Sequence, residues 1–155
     1  MTTTNGDSEI LCITPQLVVR DAVAAARWYC DALGAAERAR IALPDGRVLV
    51  IELEFGQMPV CVVDEFPHLG ITSPLTLGGT YCALHLATGE LAVLWQRAVH
   101  AGAVVFRPIR NNQWGHYNGE ILDPFGHRWA LSQHVRDISP QEIARVAADA
   151  LPLDA

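Results

Sequence analysis

The sequence lacks several features that would place it in a specialised class. No apolar run approaches the ~20 residues of a membrane span, and the opening stretch MTTTNGDSE contains neither a basic nor an apolar segment. We therefore expect no secretory leader, a flexible N-terminal tail and a cytoplasmic chain. The four cysteines form no C-x-x-C pair, so free thiols are expected in such a reducing compartment.

Basic residues are also scarce. The 11 Lys and Arg residues are outnumbered by 17 Asp and Glu residues, the net charge is −6, and no basic cluster occurs. Binding of nucleic acid is not expected, because neutralising phosphates requires Lys and Arg. The chain also has no G-x-S-x-G motif, phosphate-binding loop or dinucleotide fingerprint. A cationic or neutral small molecule is a better match to this charge.

The sequence contains the same predicted order of secondary structure twice: a strand, a helix and three further strands. In the first half, Asp21 is expected to cap a helix that ends at Gly34. Residues 45–46 (DG) and 56–57 (GQ) predict tight hairpins there, and residues 123–126 (DPFG) predict the corresponding turn in the second half. Neither half can bury its sheet alone, so the halves should pack together.

The predicted fold class is therefore α+β, with two βαβββ modules forming a curved mixed sheet around a cleft, helices outside and a C-terminal helix. The predicted organisation is a tail (1–9), a first module (10–67), a Pro/Gly-rich linker (68–79), a second module (80–135) and a C-terminal helix with its tail (136–155). Ser139 is expected to cap that helix. Its apolar stripe consists of Ile143, Val146, Ala147, Ala150 and Leu151. This stripe would cover either the chain's own sheet edge or a second copy of the chain.

Alternation along residues 47–55 separates two faces of a strand. The expected core face carries Leu49, Ile51, Leu53 and Phe55. Glu52 and Glu54 then point into the cleft, and the hairpin at residues 56–57 sets Phe55 opposite Met58 and Glu52 opposite Cys61. The alternative interpretation is that both glutamates simply solvate an exposed sheet face.

Three stretches resemble the vicinal oxygen chelate superfamily, which includes glyoxalase I, bleomycin-resistance proteins and extradiol dioxygenases. They are TPQLVVRDAVAAARWYCDALGA, GGTYCALHLATGELAVLWQRAVHAGA and WGHYNGEILDPFGHRWALSQHVRDISPQE. The resemblance covers nearly the whole chain and is strongest to the PhnB-like subgroup. It implies the fold predicted above, and it implies that two chains pair as a homodimer with clefts at or near their interface.

The resemblance also implies where a metal would be held. Metal-dependent members use four inward His or Glu ligands, one on each of four strands. Matching strand by strand puts these places at Thr14, Cys61, Cys82 and Ala130, and none of the four is His or Glu. The resemblance therefore argues against glyoxalase-type catalysis and implies no cofactor, with a divalent metal as the weaker expectation.

The last strand and the loop before it supply the other candidates. An inward Ala130 makes Arg128, Ser132 and His134 inward, with Trp129 in the core, whereas His85 alternates away from Cys82. Trp114, His116 and Tyr117 lie on an aromatic loop that could stack on a flat ligand or simply pack on its own strands. The candidate ligand-binding residues are Gln16, Glu52, Glu54, Cys61, Cys82, Trp114, His116, Tyr117, Arg128, Ser132 and His134.

The leading hypothesis is a small-molecule-binding protein that sequesters a cationic or planar drug or metabolite without metal. The second hypothesis is a metal-dependent lyase, isomerase or dioxygenase. Its atypical ligands would be drawn from Cys61, Cys82, Glu52, His116 and His134. The third hypothesis is an assembly module whose cleft has lost its ligand. No catalytic residue is assigned.

Overall fold

The computed structural model describes residues 11–150, with side chains described as far as residue 147. The predicted tail at residues 1–9 lies outside this range. The first half contains β1 (Gln16–Val19), α1 (Ala22–Leu33), β2 (Ala36–Ala42), β3 (Val48–Phe55) and β4 (Met58–Asp64). A 3-10 turn (Pro67–Leu69) and the short α2 (Pro74–Leu77) follow. The second half contains β5 (Ala83–Ala87), α3 (Leu91–His100), β6 (Val104–Asn111), β7 (His116–Leu122), β8 (Arg128–His134) and α4 (Pro140–Ala150).

The strands form two sheets of the same design. The orders are β1-β4-β3-β2 and β5-β8-β7-β6. In each sheet the first strand is parallel to its neighbour and the other pairs are antiparallel. The predicted α+β class with two βαβββ modules is therefore confirmed. Within residues 11–150, β1 and β5 do not hydrogen-bond to each other, so the two sheets remain separate rather than forming one ladder.

Local sequence signals set the ends of α1 and the β3–β4 hairpin as expected. The Asp21 carboxylate accepts a hydrogen bond from the Ala24 N–H, and Gly34 ends the helix in the left-handed conformation with φ 78°. Across the turn at residues 56–57, Phe55 pairs with Met58 and Glu52 pairs with Cys61, as predicted.

One prediction for β3 is wrong. Leu49, expected in the core, is 47% exposed, whereas Val48 is only 2% exposed. The register against β2 shifts between Ile41 and Ala42, which pair with Val50 and Val48, so Leu49 is an extra residue in the ladder. Such a bulge interrupts the alternation of side chains from which the prediction was made.

A single core joins the two modules. Buried side chains of α1 and β3 pack in the same cluster as Ile121, Trp129 and Leu131 of the second sheet. At its centre the Asp123 carboxylate accepts hydrogen bonds from the Tyr29 hydroxyl at 2.7 Å and from Trp129 Nε1 at 2.9 Å. Burial raises the pKa of Tyr29 well above its ordinary value, and the Asp123 charge raises it further, so the phenol stays a donor.

The C-terminal helix begins where its cap predicted. The Ser139 hydroxyl accepts a hydrogen bond from the Glu142 N–H at 3.2 Å. On the predicted apolar stripe, Val146 and Ala147 are half-buried and Ile143 is 36% exposed. Leu151 and the side chain of Ala150 lie outside the described residues. None of the helices formed by residues 11–150 has the length and apolar character required to cross a membrane.

Candidate ligand-binding cleft

The floor of the cleft is the face of the second sheet opposite the core. Trp129 and Leu131 of β8 are buried in the core, so the alternating residues of β8 point the other way. Across the sheet, Ser132 pairs with Asn118 of β7, and His134 pairs with His116. The inward direction expected for Ser132 and His134 is the one that the structure shows.

A tight loop raises an aromatic side chain beside this floor. The Asn112 side-chain oxygen accepts hydrogen bonds from the N–H groups of Trp114 and His116 at 2.9 and 3.1 Å. Gln113 has φ 63° and is the one residue other than glycine with a positive φ between residues 11 and 150. This conformation is uncommon for such a residue. The loop leaves the Trp114 ring 41% exposed.

Gly115 holds the loop against the segment that follows β8. Its carbonyl accepts hydrogen bonds from the N–H groups of Val135 and Arg136 at 2.8 and 3.2 Å. The φ of Gly115 is +85°, and a Cβ at this position would lie 2.0 Å from the Arg136 carbonyl oxygen. A side chain therefore cannot be added here without moving the loop.

Sheet, loop and α4 together line an open cavity of about 720 Å³. Its lining residues are His85, Ala87, Asn112, Trp114, His116, Asn118, Ser132, His134 and Ile143. The small and imidazole side chains of the sheet form the floor, the Trp114 indole forms one side, and Ile143 brings α4 over the chain's own sheet. The volume is within the range of about 300–1,000 Å³ that holds a drug-sized molecule.

The polar groups of the cavity form two hydrogen-bonded sets. His85 Nε2 lies 2.9 Å from the Ser132 hydroxyl. His116 Nε2 lies 3.3 Å from His134 Nδ1, with the ring centroids 4.9 Å apart. The outer nitrogens of this pair contact the Trp114 carbonyl oxygen at 3.2 Å and an Asp137 carboxylate oxygen at 3.0 Å. The wall can therefore donate and accept hydrogen bonds at defined points.

His85 lines the cavity although the sequence pattern did not predict it, because the phase of β5 had been set from Cys82. Cys82 precedes β5 and is exposed, with its N–H bonded to the Thr80 hydroxyl. It is not on the inner face, which corrects its assignment as a ligand-binding residue. His85 pairs with Ala130 and shares its face. When β5 begins at Ala83, as its parallel pairing with β8 requires, alternation along the strand places His85 on the inner face.

Tyr117 also requires correction. It pairs with Gln133, whereas its neighbour His116 pairs with His134, so the two side chains lie on opposite faces. Gln133 accepts a hydrogen bond from the Leu91 N–H at the start of α3. Tyr117 is therefore on the helix side of the sheet, and of the two predicted stacking residues only Trp114 lines the cavity.

Arg128 points to the predicted face but is engaged elsewhere. Its Nε lies 3.5 Å from a Glu120 oxygen without making a hydrogen bond, and its guanidinium lies over the Phe106 ring at 5.4 Å. Arg107 approaches the same Glu120 carboxylate at 3.4 Å. Arg128 is thus part of an ion-pair cluster and does not line the cavity around Trp114.

The remaining candidates lie on the first sheet. Gln16, Cys61 and Glu52 form a row across β1, β4 and β3. Glu54 is bonded to Arg38 through both guanidinium contacts, at 2.7 and 3.1 Å, and these hydrogen bonds hold the pKa of Glu54 below its ordinary value. Both oxygens of Glu54 are therefore already engaged by Arg38.

The donor set does not fit a metal centre. In the part of the chain that the structure describes, no three His, Cys, Asp or Glu side chains come together as metal ligands. Of the four family places, Thr14 and Cys82 lie outside the strands. Burial raises the pKa of the Cys61 thiol and the Glu52 charge raises it further, which disfavours the thiolate that binds metal. The atypical ligand set is therefore not assembled.

Comparison with known proteins agrees with this architecture. Residues 11–131 match the family model of the Glyoxalase/Bleomycin resistance protein/Dioxygenase superfamily. An uncharacterized protein of Mycobacterium tuberculosis strain H37Rv is 36% identical over 134 residues, covering 84% of this chain and 79% of that protein.

Solved structures show the same fold. A glyoxalase-related enzyme from Fulvimarina pelagi superposes with a TM-score of 0.64 at 23% identity, covering 81% of this chain and 89% of that one. The fosfomycin resistance protein FosX from Mesorhizobium loti superposes with a TM-score of 0.63 at 15% identity, covering 88% and 99%. The chain therefore belongs to the Glyoxalase/Bleomycin resistance protein/Dioxygenase superfamily.

Proposed function

We propose that this chain is a small-molecule-binding protein of the bleomycin-resistance type, within the PhnB-like subgroup. It sequesters a planar drug or metabolite in the cleft between the second sheet, the Trp114 loop and α4, without using a metal. The observation that carries the proposal is the cavity of about 720 Å³ beside a half-exposed indole. An aromatic face of this kind stacks on flat conjugated groups, while the imidazoles and Ser132 orient their polar atoms.

A planar ligand is better supported by the cavity than a cationic ligand. Glu54 is neutralised by Arg38, and Glu52 lies on the first sheet rather than in the cavity. Charge-removing changes at Glu52 and Glu54 are therefore expected to leave binding in the Trp114 cleft unchanged.

A thermal-shift screen of flat aromatic compounds tests the proposal. A ligand at a hundred times its Kd stabilises a chain by about 2.7 kcal/mol, or about 5–10 °C for a chain of this size. Trp114→Ala is expected to abolish the shift. Tyr81→Ala is the matched control, because Tyr81 is 99% exposed and lies outside the cavity. Equal shifts in both variants would refute binding at this cleft.

Metal analysis addresses the enzyme alternative. Protein purified without added metal is expected to contain no stoichiometric zinc, iron, nickel or manganese, because within residues 11–150 neither Cys61 nor any other donor belongs to a group of three possible metal ligands. One tightly held metal per chain, lost in Cys61→Ser, would favour a metal-dependent lyase, isomerase or dioxygenase instead.

We also propose that the chain forms a homodimer. Leu11 and Ile13, which lead into β1, are 84% and 81% exposed among the described residues, and a second chain packed on this segment would cover them. Ile143 lines the chain's own cavity, which favours α4 lying on its own sheet. Deleting residues 139–155 should then weaken ligand binding while light scattering still detects a dimer. A full-length monomer at micromolar concentration would contradict the dimer.

A further inference from the structure

We infer that the inner face of the second sheet contains a binding site for a carboxylate, which is formed by Arg107 and Arg128 and adjoins the cavity. The ligand class is an elongated planar acid, whose rings stack on Trp114 and whose carboxylate reaches the two guanidinium groups. This inference rests on the proposed function, because it places the rings in the same cavity. It derives from a separate observation, which is an unsatisfied buried donor on Arg128.

The hydrogen bonding of Arg128 is incomplete. In the part of the chain whose side chains are described, its Nε is the one buried side-chain nitrogen or oxygen atom without a hydrogen-bond partner. A Glu120 oxygen lies 3.5 Å from this Nε, and Arg107 Nη1 lies 3.4 Å from the other oxygen of the same carboxylate. Neither contact has the geometry of a hydrogen bond, so Glu120 leaves the donors of both guanidinium groups available. Buried donors are nearly always paired in folded proteins, which points to an acceptor from outside the chain.

The charges on this sheet are unequal. Glu120 is the one acidic residue of β5, β6, β7 and β8 as the structure describes them, whereas β6 contributes Arg107 and Arg110 and β8 contributes Arg128. The guanidinium carbons of Arg107 and Arg128 lie 5.7 and 5.4 Å from the centroid of the Phe106 ring, which holds the two groups together. Two permanent positive charges therefore face one carboxylate, and a second carboxylate would balance them.

The site lies on the same floor as the cavity. Alternation along β8 places Arg128, Ala130 and Ser132 on one face, and Ser132 lines the cavity. Four residues of strand span about 13 Å, so an acid of two linked rings can reach from the cavity to Arg128. Ala130 is the β8 residue between them on this face, and its small side chain leaves the path along the floor open. A carboxylate also matches the planar guanidinium fork, which donates two parallel N–H groups to its two oxygens.

Calorimetric titration of the full chain tests this with two probes of the same shape, biphenyl-4-carboxylate and biphenyl-4-carboxamide. The acid should bind more tightly, and added salt should narrow the difference, because it screens charges that are partly exposed. Arg128→Gln and Arg107→Gln should each lower the affinity for the acid by about tenfold and leave the amide unchanged. Glu120→Gln should raise the affinity for the acid, because the Glu120 carboxylate competes for the same donors. Arg27→Gln is the matched control, since it removes an equal charge from an exposed position on α1.

The outcomes separate the two proposals. If acid and amide bind equally and both require Trp114, the acid inference is overturned and the planar-ligand function stands. If the arginine variants and Glu120→Gln weaken both probes alike, the cluster only supports the fold, and the inference is again overturned. Arg107 is 69% exposed, so Arg107→Gln keeps the test decisive even where Arg128→Gln fails to fold. If neither probe binds at millimolar concentration, the acid inference fails, and the thermal-shift screen alone decides the planar-ligand function.

Discussion

Replacing Asp123 with Asn tests how the two modules are held together. The Asp123 side chain is buried, and its carboxylate accepts four hydrogen bonds. One oxygen serves the Tyr29 hydroxyl and Trp129 Nε1, and the other serves the N–H groups of Phe125 and His127. Asparagine has one oxygen and one NH₂ group, so two of the four donors would face another donor.

The size of the effect follows from those lost acceptors. A buried donor without a partner costs about 1–3 kcal/mol, so two of them cost about 2–6 kcal/mol, and we expect about 4 kcal/mol for Asp123→Asn. Tyr29→Phe leaves the carboxylate with three donors and should cost about 1 kcal/mol. Once Asp123 is asparagine, Tyr29→Phe should cost little more, because the hydrogen bond between these side chains is already lost.

Urea denaturation of the two single variants and the double variant measures these free energies of unfolding. The dependence on urea should keep the same slope, since the buried surface is unchanged. A loss below about 1 kcal/mol for Asp123→Asn would refute the reasoning, given the cost expected for even one unsatisfied buried donor. Additive costs of the two substitutions would show that Asp123 and Tyr29 act separately.

Three further outcomes follow from local environments. Iodoacetamide should modify the exposed Cys82 faster than the half-buried Cys61, whose pKa is raised, and equal rates by mass spectrometry would contradict this. Because the folded pKa of Tyr29 is raised, its contribution to stability is complete below about pH 10 and is lost as pH rises further, so Tyr29→Phe should flatten the alkaline decline seen by urea denaturation. Gly115→Ala should displace the aromatic loop and weaken ligand binding in thermal-shift assays, whereas Gly79→Ala, whose Cβ would meet nothing within 4 Å, should not.

Local sequence signals were sufficient to predict most of the helices and strands and the register of one hairpin. A two-residue turn at Gly56 and Gln57 leaves one register for the flanking strands, so the pairing of Glu52 with Cys61 was predictable. The caps of α1 and α4 were equally predictable, because Asp21 and Ser139 bond to backbone groups only three residues away.

Tertiary pairing decided which side chains reach the cleft. The face of His85 depends on where β5 begins, and this is set by its parallel partner β8, 45 residues away along the chain at Ala130. The exposure of Leu49 depends on a bulge against β2, and the charge of Glu54 is neutralised by Arg38 on that same strand. A strand's side chains alternate with a period of two, so a shift of one residue at a distant partner reverses every face. The sequence therefore determined the elements and the family plan, whereas the paired sheets determined the site.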